Sequence, residues 1–257
     1  MASRSIWIGG FHGINALLQT HPERILALYL QQDRSDKRAA QLLNEAEAMG
    51  VAVQRMPAKW FQEQAERSGG LVHQGVLANV RPVEPLDEAG LDRLLNAQPE
   101  RHVPLLLVLD GVTDPHNLGA SLRTAEAAGV DAVIVPRDRA CGLTPAARKA
   151  SAGASERLPL VEVTNLARTL DALKARGIWL VGTAGDAETS VYQTRFATDP
   201  VALVMGSEGR GMRRLTRDRV DELVRIPMVD TVESLNVSVA CGVCLFEFRR
   251  QRLAVSF

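Results

Sequence analysis

The sequence predicts an α/β protein in two parts, a small α/β unit followed by a larger one built on a mostly parallel sheet. Three observations carry this. From residue 105 onward, apolar runs alternate with amphipathic segments in βα order. The run LLLVLDG, residues 105–111, is apolar without alternation, as a strand covered on both faces must be. Residues 81–104 carry four prolines and one short helical pattern, and they read as a linker between residues 1–80 and 105–257.

In the first unit SIWIGG and ILALYL read as strands, and DKRAAQLLNEAEAMG as an amphipathic helix stopped by Gly50. VAVQRM is a third strand, AKWFQEQAER a second helix and HQGVLANV a last strand. In the second unit NLGASLRTAEAAG reads as a helix ending at Gly129, DAVIVP as a strand and LTPAARKASAG as a helix. LPLVEVT, IWLVGTAG, VALVMGSEG and ELVRIPM complete about six strands, with LARTLDALKARG as a helix among them. A long helix from about residue 235 closes the chain. It is apolar nearly all round until Arg249, which predicts burial in the core or against a partner.

With 257 residues the chain can bury a sizeable core, and 46% hydrophobic and 23% charged residues are ordinary globular values. No apolar run reaches membrane-spanning length, so a soluble, cytoplasmic protein is expected. A net charge of zero excludes a simple polycation that coats nucleic acid. Only four of the 30 basic residues are lysine, a skew that suits phosphate and base edges and that GC-rich coding explains equally well. Cys241 and Cys244 form C-x-x-C, but no second pair completes a zinc site, and they share a helical stripe with Val237 and Phe248. They read as buried packing thiols.

Three strand-end loops of the second unit carry unusual chemistry. In DGVTDPHNLGASLRTA, Asp114-Pro115 fixes a turn, Asn117 suits an N-cap, Gly119 permits close packing and Arg123 lies on the new helix. In MGSEGRG, residues 205–211, the glycines let backbone approach a ligand while Glu208 adds a carboxylate. In RIPMVDTVESLNVSVACG, residues 225–242, a strand ends at Pro227, and Ser234, Asn236 and Ser238 open the final helix. Taken singly, Asn117 reads equally as a cap, Arg123 as a surface charge and 205–211 as a Gly-rich turn. No dinucleotide fingerprint or phosphate loop opens any βα unit, which disfavours a nicotinamide-dependent oxidoreductase or a nucleoside triphosphate site.

In order, N-x-G-x-x-x-R, G-S-E-G-x-G and I-P-M-x5-S-L-N-V-S-V-A resemble the three signature motifs of the TrmH (SpoU) family of SPOUT-class RNA 2′-O-methyltransferases, over about residues 105–250. GFHGINALL and HQGVLANV resemble the L30e-like RNA-binding domain that precedes the catalytic domain in some members. The resemblance implies a trefoil-knotted SPOUT catalytic domain, a homodimer, S-adenosylmethionine as methyl donor and no metal. It implies cofactor binding by Gly206, Ile226 and Leu235, with Thr183 and Met228 added, and catalysis by Asn117, Arg123, Glu208, Ser234 and Asn236. It passes over His116, which spacing alone offers as a base. In this family the matching arginine is the proposed base; a guanidinium with a pKa above about 12 better suits pinning a phosphate and stabilising developing negative charge. For the two-domain members the implied reaction is 2′-O-methylation of a guanosine in 23S rRNA, in the peptidyl-transferase region, during ribosome maturation. A tRNA or other rRNA target, and a non-catalytic RNA-binding factor of the same fold, stay open as alternatives.

Overall fold

The computed structural model describes residues 5–229, 231, 232 and 234–255, and the chain divides into two compact units between Glu84 and Pro85. The first unit runs β1 (Ile6–Gly9), α1 (Phe11–Thr20), β2 (Ile25–Gln31), α2 (Lys37–Ala48), β3 (Val53–Met56), α3 (Ala58–Arg67) and β4 (Val76–Val80). Its sheet has the order β1-β4-β2-β3, antiparallel except for the β2–β3 pair. Side chains alternate across it. Leu28, Leu30, Val76, Ala78 and Val80 form a core with Ile14, Leu17 and Leu18 of α1 and Leu42 of α2. Trp7 and Tyr29 meet Trp60 of α3 at centroid distances of 5.9 and 4.6 Å. Helix α1 was not foreseen as an element: Gly10 before it holds φ +88° and supplies no side-chain cap.

The second unit continues with α4 (Glu88–Asn96), β5 (Leu105–Asp110), α5 (Pro115–Ala128), β6 (Ala132–Pro136), α6 (Pro145–Ala150), β7 (Leu160–Val163), α7 (Leu166–Ala175) and β8 (Trp179–Thr183). Then come β9 (Thr189–Ser190), β10 (Val201–Gly206), α8 (Arg214–Arg217), β11 (Glu222–Arg225) and α9 (Val237–Val255). The seven strands pair in parallel throughout, in the order β7-β6-β5-β10-β8-β11-β9. Alternate residues of each central strand face opposite layers. Leu105, Leu107 and Leu109 pack with Leu118 and Leu122 of α5 and with Cys241, Cys244 and Phe248 of α9. Leu106 and Val108 pack with Leu166, Leu170 and Leu173 of α7 and Leu91 of α4. Among the described residues no helix is long and apolar enough to cross a membrane.

The segment expected to be a linker, 81–104, is split by this division. From Pro85 it belongs to the second unit, where Leu86 exchanges backbone hydrogen bonds of 2.8 Å with Leu160 and Glu162 beside β7. Glu88 Oε1 accepts from the Thr164 amide at 2.7 Å and its hydroxyl at 2.6 Å. The one short helical pattern expected in this segment is α4, whose fully buried residues are Gly90 and Leu91. Helix α9 is buried along Val237, Cys241, Cys244, Leu245 and Phe248, whereas Val239, Phe246 and Leu253, seven residues apart, are 53%, 47% and 51% exposed. The expectation of burial all round thus holds within the chain for one side of the helix.

Gly119 sits where α5 crosses α6, and a Cβ there would meet Ala147 O and Ala150 Cβ at 2.5 Å. Gly119→Ala is expected to destabilise the protein by about 1–3 kcal/mol by overpacking, read by denaturant titration. The hydrogen bonds from Thr164 hold the Glu88 carboxyl at about 2, below its ordinary 4.5. A depressed folded-state pKa adds stability above the unfolded value and loses it as pH falls. Stability should therefore drop between about pH 4.5 and pH 2, and Glu88→Gln should remove that part of the drop in acid denaturation curves.

Candidate active site

The site lies where parallel sheets place ligands, beyond the carboxyl ends of the strands at a change in winding direction. Here the chain winds outward from β5 to β6 and β7, then returns to build β8 and β10 on the other side. The β5–β10 register pairs Asp110 with Gly206, so both strands end at the same level. The Asp110 side chain is wholly buried. Its Oδ2 accepts from the Arg213 backbone N at 2.9 Å, and its Oδ1 accepts from Arg213 Nε and Nη2, each at 2.5 Å.

Between these anchors the MGSEGRG segment doubles back on itself. Ser207 and Gly211 exchange backbone hydrogen bonds of 3.1 and 2.9 Å, and Gly209 and Gly211 adopt φ of +75° and +65°. The returning strand passes so close to Gly206 that a Cβ there would lie 2.1 Å from Gly211 C and 2.2 Å from Met212 N. Glycine is required at 206 by space and favoured at 209 and 211 by backbone conformation. Glu208 is thereby held at the tip of a tight, hydrogen-bonded loop.

Three donors, from α5 and the start of α9, converge on Glu208. Its Oε1 accepts from Asn236 Nδ2 at 2.6 Å, Asn117 Nδ2 at 3.1 Å and the Val237 amide at 3.2 Å. Asn236 Nδ2 also donates to Asn117 Oδ1 at 2.9 Å. The expectation that Asn117 caps α5 is corrected: Asp114 is the N-cap, accepting from the His116 amide at 2.9 Å, and Pro115 takes the first helical position. Asn117 is consequently free to reach across to the other loops. Asn236 does both jobs at the start of α9. Its Oδ1 accepts from the Ser238 amide at 3.0 Å and hydroxyl at 2.6 Å, which turns its Nδ2 toward the carboxylate.

Two cavities flank this network and share Ser207, Glu208, Gly211 and Val237. The larger, about 670 Å3, opens among the β5–α5 loop with Asn117, Arg139 after β6, and residues 207–213. The smaller, about 330 Å3, is lined by Thr183, Gly206, Glu208, Ser234 and Leu235, with other backbone-rich positions. Its size is within the range of small-molecule sites, roughly 300–1,000 Å3. Its walls hold one carboxylate and no cationic side chain, which suits a ligand carrying positive charge and no phosphate. S-adenosylmethionine meets that description.

Several expected residues stand apart. Ile226 packs against the core of the α5–α9 layer, and Met228 is exposed; neither lines a cavity described here. Arg123 is exposed on α5 and lines neither cavity. Six residues of helix separate it from Asn117 by about 9 Å of rise and about 120° of rotation. Asp230 and Glu233 of the third motif lie outside the described residues. Arg139 and Arg210, which line the larger cavity, carried no motif signal in the sequence. Cys241 and Cys244 are buried on α9, and burial pushes both thiols up, Cys244 to about 12. Among the described residues no cluster of His, Cys, Asp and Glu could hold a metal ion.

Residues 104–246 match the SpoU rRNA Methylase family, and residues 7–86 match the family described as RNA 2′-O ribose methyltransferase substrate binding. The chain belongs to the SpoU rRNA methylase family. Its SpoU relatives include a Pasteurella multocida protein named 23S rRNA (guanosine-2′-O-)-methyltransferase RlmB, 55% identical over 96% of this chain and 98% of the relative. A Vibrio cholerae protein of the same name is 54% identical over 96% and 97%. Among solved structures, the SpoU methyltransferase AviRb from Streptomyces viridochromogenes in complex with AdoMet aligns with a TM-score of 0.75, at 27% identity, over 97% of this chain and 91% of that one. The A. aeolicus TrmH/SpoU tRNA modifying enzyme aligns over 66% of this chain and 85% of its own, with a TM-score of 0.56 and 29% identity.

In this SpoU chain the buried Asp110 is the clearest liability. Arg213→Ala leaves its carboxylate without a cationic partner and is expected to cost roughly 3 kcal/mol in denaturant titrations, the low end for a broken buried pair because Arg213 is partly exposed. Adding Asp110→Asn should restore much of the loss.

Proposed function

We propose that this chain is a cytoplasmic enzyme that transfers the methyl group of S-adenosylmethionine to the ribose 2′-oxygen of a guanosine in 23S rRNA. The observation that carries the reading is the Glu208 carboxylate on the wall shared by the two cavities, fastened there by Asn117 and Asn236. A group-transfer enzyme has to bring donor and acceptor together across such a wall in a fixed geometry. The named activity of relatives that are more than half identical over nearly the whole chain supports the same reaction.

S-adenosylmethionine supplies an activated methyl on a sulfonium. Thr183, Gly206, Ser234 and Leu235 would hold it in the smaller cavity, and the larger cavity would take the acceptor nucleotide. Asn117, Asn236 and the Val237 amide fasten one oxygen of Glu208; Oε2 has no hydrogen-bond partner among the described residues. That oxygen would accept the hydrogen bond of the 2′-hydroxyl and so help to orient it for methyl transfer. Arg123, on the motif's spacing, would pin an RNA phosphate outside the cavities. On the motif's pattern Ile226, with Met228 added, would also contact the cofactor, from outside the lining of the smaller cavity.

A second copy is expected to complete the molecule, supported by the exposed stripe of Val239, Phe246 and Leu253 on α9. The insertion of β10 between β5 and β8, with α9 returning against α5, supports the knotted path. A tRNA target is the second reading. The A. aeolicus tRNA modifying enzyme aligns with only 66% of this chain, which favours ribosomal RNA.

Incubation with labelled S-adenosylmethionine and a transcript of the peptidyl-transferase region should give incorporation into that RNA and none into total tRNA. Incorporation that survives a 2′-deoxy substitution at the target guanosine would sink the assignment. Glu208→Gln and Asn236→Ala should each lower kcat by about 100-fold or more while S-adenosylmethionine binding, read by calorimetry, persists.

A further inference from the structure

The larger cavity holds two guanidinium groups that the reaction as described does not use. Arg139 follows β6 in an exposed loop and Arg210 lies at the turn of the Glu208 loop; both line the cavity, and neither side chain has a polar partner among the described residues. The other charges in that lining are engaged. Asp110 is paired with Arg213, Asp114 accepts from the His116 amide, and Glu208 accepts from the two asparagines.

Backbone geometry marks both positions. Arg139 has φ +60°, a left-handed conformation that costs a non-glycine residue energy and persists only where surroundings impose it. The loop is fastened beside it, where the Cys141 amide donates to Val112 O at 2.8 Å, and Arg139 O would lie 3.9 Å from a Cβ on Gly111. Arg210 stands between Gly209 and Gly211, both at positive φ, in the loop that Arg213 clamps to Asp110. Both arginines are therefore held at the cavity by backbone, with their forks left free.

We infer that Arg139 and Arg210 form the subsite for an RNA backbone phosphate beside the acceptor ribose. This rests on the acceptor nucleotide occupying the larger cavity, as proposed above. The chemistry of the acceptor demands such a subsite: within an RNA strand, the carbon bearing the 2′-hydroxyl adjoins the one bearing the 3′-phosphate. An enzyme that fixes the 2′-oxygen at Glu208 brings a phosphodiester anion close to a carboxylate, and that repulsion has to be offset locally. Guanidinium forks suit phosphate oxygens in geometry and charge. The smaller cavity, which has no cation, is correspondingly unsuited to the phosphate.

The test uses the full-length protein with the same transcript. Arg139→Gly removes the fork at a position where glycine accepts φ +60° without strain, so the fold is retained; Arg210→Ala is the second variant. Binding of the transcript is measured by filter retention across a salt series, and binding of S-adenosylmethionine by calorimetry. Each variant should weaken RNA binding about tenfold and lower the slope of log K against log salt by about 1, with S-adenosylmethionine affinity unchanged. Arg139→Lys, which keeps the charge without the fork, should keep the slope and recover part of the affinity. Arg168→Ala, which removes an exposed charge from α7 on the other face of the sheet, should leave the slope unchanged. An unaltered slope in both cavity variants, or an equal fall in Arg168→Ala, overturns the subsite. Methyl incorporation by the unmodified protein is scored separately, so a failed assignment of the reaction is distinguishable from a failed phosphate subsite.

Discussion

The buried Asp110 carboxylate governs the rest of the site. It ends β5 in the middle of a fully parallel sheet, where its side chain is buried and Arg213 neutralises it. An unpaired charge there would cost several kcal/mol, so the ion pair strongly favours one position for the return of the Glu208 loop. From that follow the close passage of the chain over Gly206, the placement of Glu208 and the division of the strand-end crevice into two cavities. Asp110 and Arg213 belong to different strand-end segments, which makes the geometry of the site a property of the folded sheet.

Helix starts supply the second constraint. Each leaves amide donors to be satisfied, and polar side chains at such places usually do nothing else. In α5 Asp114 takes that duty, which releases Asn117. In α9 Asn236 divides its amide group, with the oxygen serving the helix and the nitrogen serving Glu208. Because the Ser238 amide can only donate, the orientation of Asn236 is fixed by the helix before any ligand arrives. Order at the site is built from ordinary secondary-structure chemistry.

Much of this was legible in the sequence. Uninterrupted apolar runs marked the central strands, and three loop motifs in order pointed to the family and to Asn117, Glu208, Ser234 and Asn236 as neighbours. The cap role of Asn117 was misassigned because Asp114-Pro115 also reads as a turn, and only coordinates show which side chain meets the helix amides. Helix α1 was hidden by glycines at 9, 10 and 13 and the lack of a side-chain cap. The short helical pattern in 81–104 is α4, but the prolines around it masked that it packs on the second unit through Leu91, Leu94 and Leu95. Arg139 left no trace, since a non-glycine residue at positive φ has no compositional signature and its loop joins the cavity only through the sheet. Arg123 was found through its motif, yet its place on the helix sets it apart from the other motif residues.

The burial of Cys241 and Cys244 also gives the protein an internal clock. Both thiols lie on the side of α9 that faces α5 and the sheet, and alkylating reagents attack the thiolate. Neither sulfur can be reached while that helix is seated, and desolvation keeps both protonated. When alkylation is faster than reseating, the rate of modification at these two positions counts how often the terminal helix lifts from its bed. The chain thus carries its own label for the motion that would expose its core, with no foreign probe required.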